Sequence, residues 1–186
     1  MVLIIFLTRE SSSESTINHY KHLFNSSAEQ VQEFINTHIV HRNITTPLQS
    51  ALMTLIKANG TCLESAFLAS LFLENKYGKK ILSLHTDKNI GHALYLFEEN
   101  GLFGTVGNSS RRNMKWRNPI YKSIKELSES FRKPLNAANY VLTNYSVEDL
   151  ITAQEDWRYS LDNLGTLEEV MGMNKSCYFG NDCGVP

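Results

Sequence analysis

Cys62 and His92 are the residues of this sequence best suited to chemistry. A cysteine thiolate attacks carbonyl carbon, and an imidazole within hydrogen-bond reach can take the thiol proton and return it to a leaving group. Cys62 lies in Thr61-Cys62-Leu63-Glu64, a capping-box pattern that puts the cysteine in the first turn of a helix. Unpaired N–H groups and about half a unit of positive charge gather there, and both favour thiolate over thiol. The prediction is a thiolate formed near or below pH 7. Position alone also allows a buried packing cysteine. His92 follows Gly91 at the mouth of a predicted strand, 30 residues after Cys62. A strand edge fixes an imidazole better than a loop does, although a strand-start histidine can also be idle.

A nucleophile and base need a third group that holds the imidazole in the right tautomer. Predicted strands Ala93 to Glu98 and Leu102 to Gly107 flank Glu99-Asn100-Gly101. With all three residues in the loop, Phe97 faces Phe103, Leu94 faces Val106, and His92 faces Asn108. A two-residue loop sets Phe97 against Gly104 and His92 against Ser109. The first register matches apolar with apolar and is the one expected, which makes Asn108 the candidate orienter and Ser109 the second.

The surrounding pattern supplies the elements that must hold these residues. Ser26-Ser27-Ala28-Glu29 opens a helix with Val31, Phe34, Ile35 and His38 at helical spacing. Thr46-Pro47 reads as the cap of the next, with Leu48, Leu52, Leu55 and Ile56 as its stripe and Gly60 as its stop. The helix of Cys62 follows at once, then a strand over Lys80 to His85 and the hairpin. Helices are expected after Ser123, after Ser146 and over Leu161 to Met171. The fold class is therefore α+β, with helices, then an antiparallel sheet, then helices.

Composition bounds the rest. The chain has 186 residues, 18 Lys+Arg against 19 Asp+Glu, and a formal net charge of −1. That length suits one domain, and balanced charge argues against nucleic acid as a partner. No run approaches the roughly 20 apolar residues of a spanning helix. Val2 to Leu7 lacks the features of a signal peptide and reads as a first strand. Three cysteines fill no closed disulfide framework, so a reducing, cytoplasmic setting is expected. Cys177 and Cys183 fall in the tail 174–186, where a bridge would close only a small loop. His19-x-x-His22 and His38-x-x-His41 have metal-compatible spacing, but without a carboxylate or cysteine partner no metal and no cofactor is predicted.

Gly60-Thr61-Cys62 opening a helix, Gly91-His92-Ala93 opening a strand, and a polar residue on the following strand resemble the transglutaminase-like superfamily. The resemblance implies a papain-like core over about 46–110 with a Cys-His-Asp/Asn triad, a helical extension over about 120–172 and the tail beyond. Gly104-Thr105-Val106-Gly107-Asn108-Ser109, Arg117-Asn118-Pro119-Ile120-Tyr121 and Asp156-Trp157-Arg158 resemble a small branch of that superfamily. Leu94 stands where many members have tryptophan, and Gly107 or Asn108 replaces the usual aspartate. Asparagine can orient a histidine but does not stabilise imidazolium by charge.

The resemblance implies cysteine-dependent acyl chemistry on a peptide, protein or small amide, as hydrolase or acyltransferase. Cys62 would be the nucleophile, His92 the base and Asn108 the orienter. The N–H of Cys62 and the amide of Gln49 would face the oxyanion. The lost aspartate keeps a second reading open, a catalytically silent member that binds a peptide or protein. Ser109 and the basic stretch Arg111, Arg112, Lys115, Trp116 and Arg117 would line the cleft and hold a substrate carboxylate or phosphate, or form a solvated loop. Trp157 is expected to anchor the C-terminal helix by burying its indole.

Overall fold

A computed structural model describes residues 14–43, 47–88, 91–150, 157–162 and 164, together with the backbone of 176–178. The expected strand Val2 to Leu7, Cys183 and most of the helix expected over Leu161 to Met171 lie outside these residues. The fold is α+β. Residues 14–19 form α1, followed by a 3-10 turn at Lys21–Asn25 and helix α2 at Ala28–His38. Strand β1 (Val40–His41) pairs in parallel with β2 (Asn59–Gly60), and these bracket α3 (Ala51–Lys57). Helix α4 (Cys62–Tyr77) leads into β3 (Lys80–Thr86), β4 (Gly91–Glu99) and β5 (Leu102–Val106). A 3-10 turn at Arg112–Met114, β6 (Arg117–Tyr121), α5 (Ile124–Glu129), α6 (Arg132–Asn136), β7 (Leu142–Asp149) and β8 (Ser176–Tyr178) complete it.

The main sheet has six strands in the order β6-β5-β4-β3-β7-β8, with every neighbour antiparallel. Alternation along β4 splits the core in two. Ala93, Tyr95 and Phe97 join Val31, Ile35, Phe67, Leu68 and Phe72 of α2 and α4 in one cluster. Leu94 and Leu96 join Leu82, Leu84, Leu127 and Phe131 in the other, beneath α5 and α6. The cysteine helix thus packs on an antiparallel sheet whose far face is closed by the later helices. No described helix is long and apolar enough to cross a membrane.

Several local expectations give way. The hairpin turns on two residues, Asn100 at φ 55° and Gly101 at φ 76°, as an Asn-Gly pair favours. Phe97 therefore faces Gly104 and Tyr95 faces Val106, the register that sequence pairing had ranked second. The ring of Phe97 lies across Gly104, where an added Cβ would come within 2.5 Å of it. Aromatic over glycine replaces aromatic over aromatic. Ser146 caps no helix but sits in β7 opposite Ser83, with Tyr145 opposite Leu84 and Val147 opposite Leu82. The extension expected to be helical over 120–172 thus contributes an interior strand, and the tail contributes an edge strand. Polar Ser-Val-Glu-Asp resembles a helix start, but pairing with β3 satisfies its backbone instead.

The helix starts also shift. Ser27, with Gln30, closes the capping box of α2 one residue later than expected, and His38 is exposed at its end. Ser50, not Thr46, caps α3, and its hydroxyl accepts from Met53 N–H at 3.1 Å. Leu48, Leu52 and Leu55 are buried as expected, whereas Ile56 is 41% exposed. Gly60 is not the stop of α3, because Ala58 in the left-handed conformation ends it. Trp157 is buried, and its carbonyl accepts from Ala51 N–H at 2.7 Å. It anchors a turn against the start of α3; the C-terminal helix it was expected to hold lies mostly outside the described residues.

Candidate active site

Thr61 caps α4 as predicted. Its hydroxyl accepts from Glu64 N–H at 3.2 Å, and the Glu64 carboxylate accepts from Thr61 N–H at 2.7 Å. Cys62 is the first helical residue. Gly60 must approach closely here, since a Cβ on it would meet Thr54 Cγ2 at 2.8 Å. The thiol is free, on a residue that is half-buried. Main-chain N–H groups of Ala93, Leu63 and Cys62 itself all draw its pKa down, but burial is the larger effect and pushes it up. The expected low-pH thiolate is therefore not what the structure favours: protein packed about the sulfur removes the water that a thiolate needs.

His92, the second residue of β4, precedes the N–H that faces the thiol. Its Nε2 lies 2.7 Å from the carbonyl oxygen of Met114. A carbonyl only accepts, so Nε2 carries the proton and Nδ1 is left with its lone pair. The ring packs edge-on to Phe131 at 6.4 Å between centroids. Burial, opposed by the Met114 carbonyl and reinforced by Arg117, lowers the imidazole pKa to about 4. The resting pair is thus a neutral thiol and a neutral imidazole. Cys62 packs with the first core cluster and His92 against members of the second, so the two straddle the start of β4. No hydrogen bond joins thiol to imidazole among the described residues.

Asn108 is fully buried just beyond β5, yet its amide donates to the Ile39 carbonyl at 3.2 Å and makes no hydrogen bond to His92. Its Oδ1 has no partner. Ser109 accepts from Arg111 N–H at 3.2 Å and is likewise not bonded to His92. The group that holds the imidazole is a main-chain carbonyl, which leaves no mark of residue type for a sequence to show. Gln49 precedes α3 instead of lying within it. Its side chain donates to the Asn59 carbonyl at 3.2 Å and its N–H to Glu64 at 2.7 Å.

The basic stretch divides. Arg111 turns its guanidinium over Tyr140, 5.9 Å from the ring centroid. Arg112, Lys115, Trp116 and Arg117 line a cavity of about 870 Å³ against α2. Trp116 stacks on Phe97 at 5.7 Å and donates to Asn118 at 2.8 Å. Arg117 is spent on structure, donating to Ser130 and to the carbonyls of Asn113 and Trp116 while covering the Phe131 ring at 3.8 Å.

Sequence reasoning missed two supports. Glu64, seen only as a capping residue, is fully buried and also pairs with Arg42 and accepts from Gln49 N–H. That one carboxylate joins the exits of β1 and of the α3 approach to the cysteine turn. Gln32 clamps Gly107 through both amide atoms, at 3.0 and 2.9 Å, and so fixes the chain leading into Asn108. Glu64 carried a local signal; Gln32 carried none beyond its place on the apolar side of α2.

Among the described residues no group of three or more His, Cys, Asp and Glu is placed to hold a metal. His38 stacks on Phe34 at 4.5 Å at the end of α2, while His41 belongs to β1. No protein-family model matches this chain, and a search of curated proteins returns no match.

Proposed function

We propose that the protein performs cysteine-dependent acyl chemistry on amide or ester carbonyls, as a hydrolase or acyltransferase of the transglutaminase-like kind, with Cys62 as nucleophile and His92 as base. One observation carries the reading. His92 Nε2–H is committed to Met114 O at 2.7 Å, so Nδ1 is the basic atom, on the residue just before the N–H that faces the thiol. The neutral resting pair suits general-base attack. Since thiol and imidazole lie on either side of the start of β4, the transfer runs through one bridging water. As the Cys62 sulfur bonds to the carbonyl carbon, its proton passes to that water and the water's proton to Nδ1, and the carbonyl electron pair becomes an oxyanion near the N–H groups of the α4 start. The imidazolium then protonates the leaving amine or alcohol as the C–N or C–O bond breaks, which leaves a thioester on Cys62. Water or an amine gives its proton to Nδ1, attacks the thioester, and restores the thiol.

In this reading Met114 O takes the orienting role expected of Asn108, and Asn108 holds the β1 approach in place. A carbonyl fixes the tautomer but adds no negative charge to steady the imidazolium. That same weakness favours the second reading, a silent fold that binds a peptide or protein. Acylation by a p-nitrophenyl ester at pH 7.5, followed by intact-protein and peptide mass spectrometry, separates them. The expected result is a Cys62 thioester that forms faster than on glutathione and turns over, with His92→Ala slowing turnover about 10²–10⁴-fold. A Cys62 that acylates no faster than glutathione, whatever stands at 92, leaves the binding reading.

A further inference from the structure

The cavity beside α2 has two walls of opposite sign. Glu29 and Glu33 of α2, one turn apart, line it from the helix, and Arg112, Lys115 and Trp116 line it from the chain segment that follows β5. Among the described residues no hydrogen bond or ion pair engages any of these four charged side chains. Two carboxylates spaced i,i+4 on one helix repel each other. Gln30, Asn36 and Asn113 add amide groups to the lining.

We propose that this groove binds an extended polypeptide segment in which acidic and basic side chains alternate. In a strand, successive side chains point to opposite sides, so alternating signs place every base toward one wall and every acid toward the other. The spacing matches as well. Carboxylates at i,i+4 on a helix sit about 6 Å apart, and side chains at i,i+2 of a strand repeat at about 6.8 Å. A volume of about 870 Å³ falls within the range of formed ligand sites. Amide side chains along the groove can pair with the peptide backbone, and the Trp116 ring gives an apolar floor. The groove is distinct from the Cys62 thiol, so the inference holds or fails separately from the acyl reading.

Two hexapeptides of identical composition provide the test: acetyl-Glu-Lys-Glu-Lys-Glu-Lys-amide and its block isomer acetyl-Glu-Glu-Glu-Lys-Lys-Lys-amide, each fluorescein-labelled and titrated by anisotropy. The alternating peptide should bind at least tenfold tighter than the block isomer. Reversing one wall, by Arg112→Glu with Lys115→Glu or by Glu29→Lys with Glu33→Lys, should abolish that preference. Reversing both walls should restore it, because a one-residue slip realigns the peptide. Glu29, Glu33 and Arg112 are exposed and Lys115 is half-buried, so circular dichroism should be unchanged. Equal affinity for the two isomers, or a preference that survives reversal of one wall, overturns the proposal.

Discussion

The two halves of the candidate site are built in different ways. Around Cys62 the determinants are contiguous: Thr61 caps, Glu64 closes the box, and Cys62 and Leu63 offer N–H groups, with Ala93 the one contributor from another element. Around His92 nothing is contiguous. Its carbonyl partner lies 22 residues on, at Met114, and the ring at its edge is Phe131. A nucleophile can be placed by a short motif because a helix start is a local structure. A base must be placed by the sheet, since its hydrogen bond and its burial come from chain segments that meet only in the folded protein.

The comparison breaks most readily at Glu64. Its carboxylate has no solvent access and holds Arg42, Gln49 N–H and Thr61 N–H together. Glu64→Ala leaves the Gln49 and Thr61 N–H groups without this acceptor and removes the ion pair to Arg42, and should cost about 3–5 kcal/mol of stability, read as a lowered urea midpoint. Glu64→Gln, which keeps shape and acceptor, should lose less. A loss under about 1 kcal/mol for the alanine variant would show that this carboxylate behaves as an ordinary exposed cap.

The imidazole half predicts a pH dependence. His92 has a folded pKa of about 4 against an ordinary 6.5, so the unfolded chain binds the extra proton between those values. Its contribution to stability is complete above pH 6.5 and is lost as pH falls toward 4, amounting to about 3 kcal/mol for a shift of this size. His41 and His85 are shifted the same way by burial, so the decisive quantity is the difference between wild type and His92→Gln in urea titrations across that window. Equal slopes in the two proteins would place His92 in water rather than against Met114.

The smallest effect belongs to the thiol. Burial outweighs the three N–H groups at Cys62, so its iodoacetamide alkylation should rise with a midpoint above the ordinary value of about 8.5. A midpoint near or below 7 would mean that the helix start and the Ala93 N–H win over desolvation. The nucleophile half would then be activated at rest, without help from the imidazole half.

Legibility in the sequence followed the same division. The cap of α4, the cap of α5 at Ser123, the strand from Lys80 and the strands of the β4–β5 hairpin were readable from local chemistry. Apolar matching along the hairpin favours a three-residue loop, whereas Asn100-Gly101 fixes a two-residue turn and Gly104 accepts the Phe97 ring. Ser146 misled because a polar start with acidic followers is shared by helix caps and exposed strand positions. Only the vacancy beside β3 distinguishes them. Asn108 was placed correctly near the end of β5 but not its bond, since an amide takes whichever carbonyl the fold presents.

By itself, then, the sequence determined the α+β alternation and the capped helix start at Cys62, features set by backbone dihedrals, capping and side-chain periodicity within a few residues. Tertiary structure alone decided that β7 enters the sheet beside β3, that Met114 O fixes the His92 tautomer, and that acidic residues of α2 and basic residues after β5 line one cavity. Those outcomes depend on which distant backbone groups and charges are brought together once water is excluded, and no local pattern encodes them.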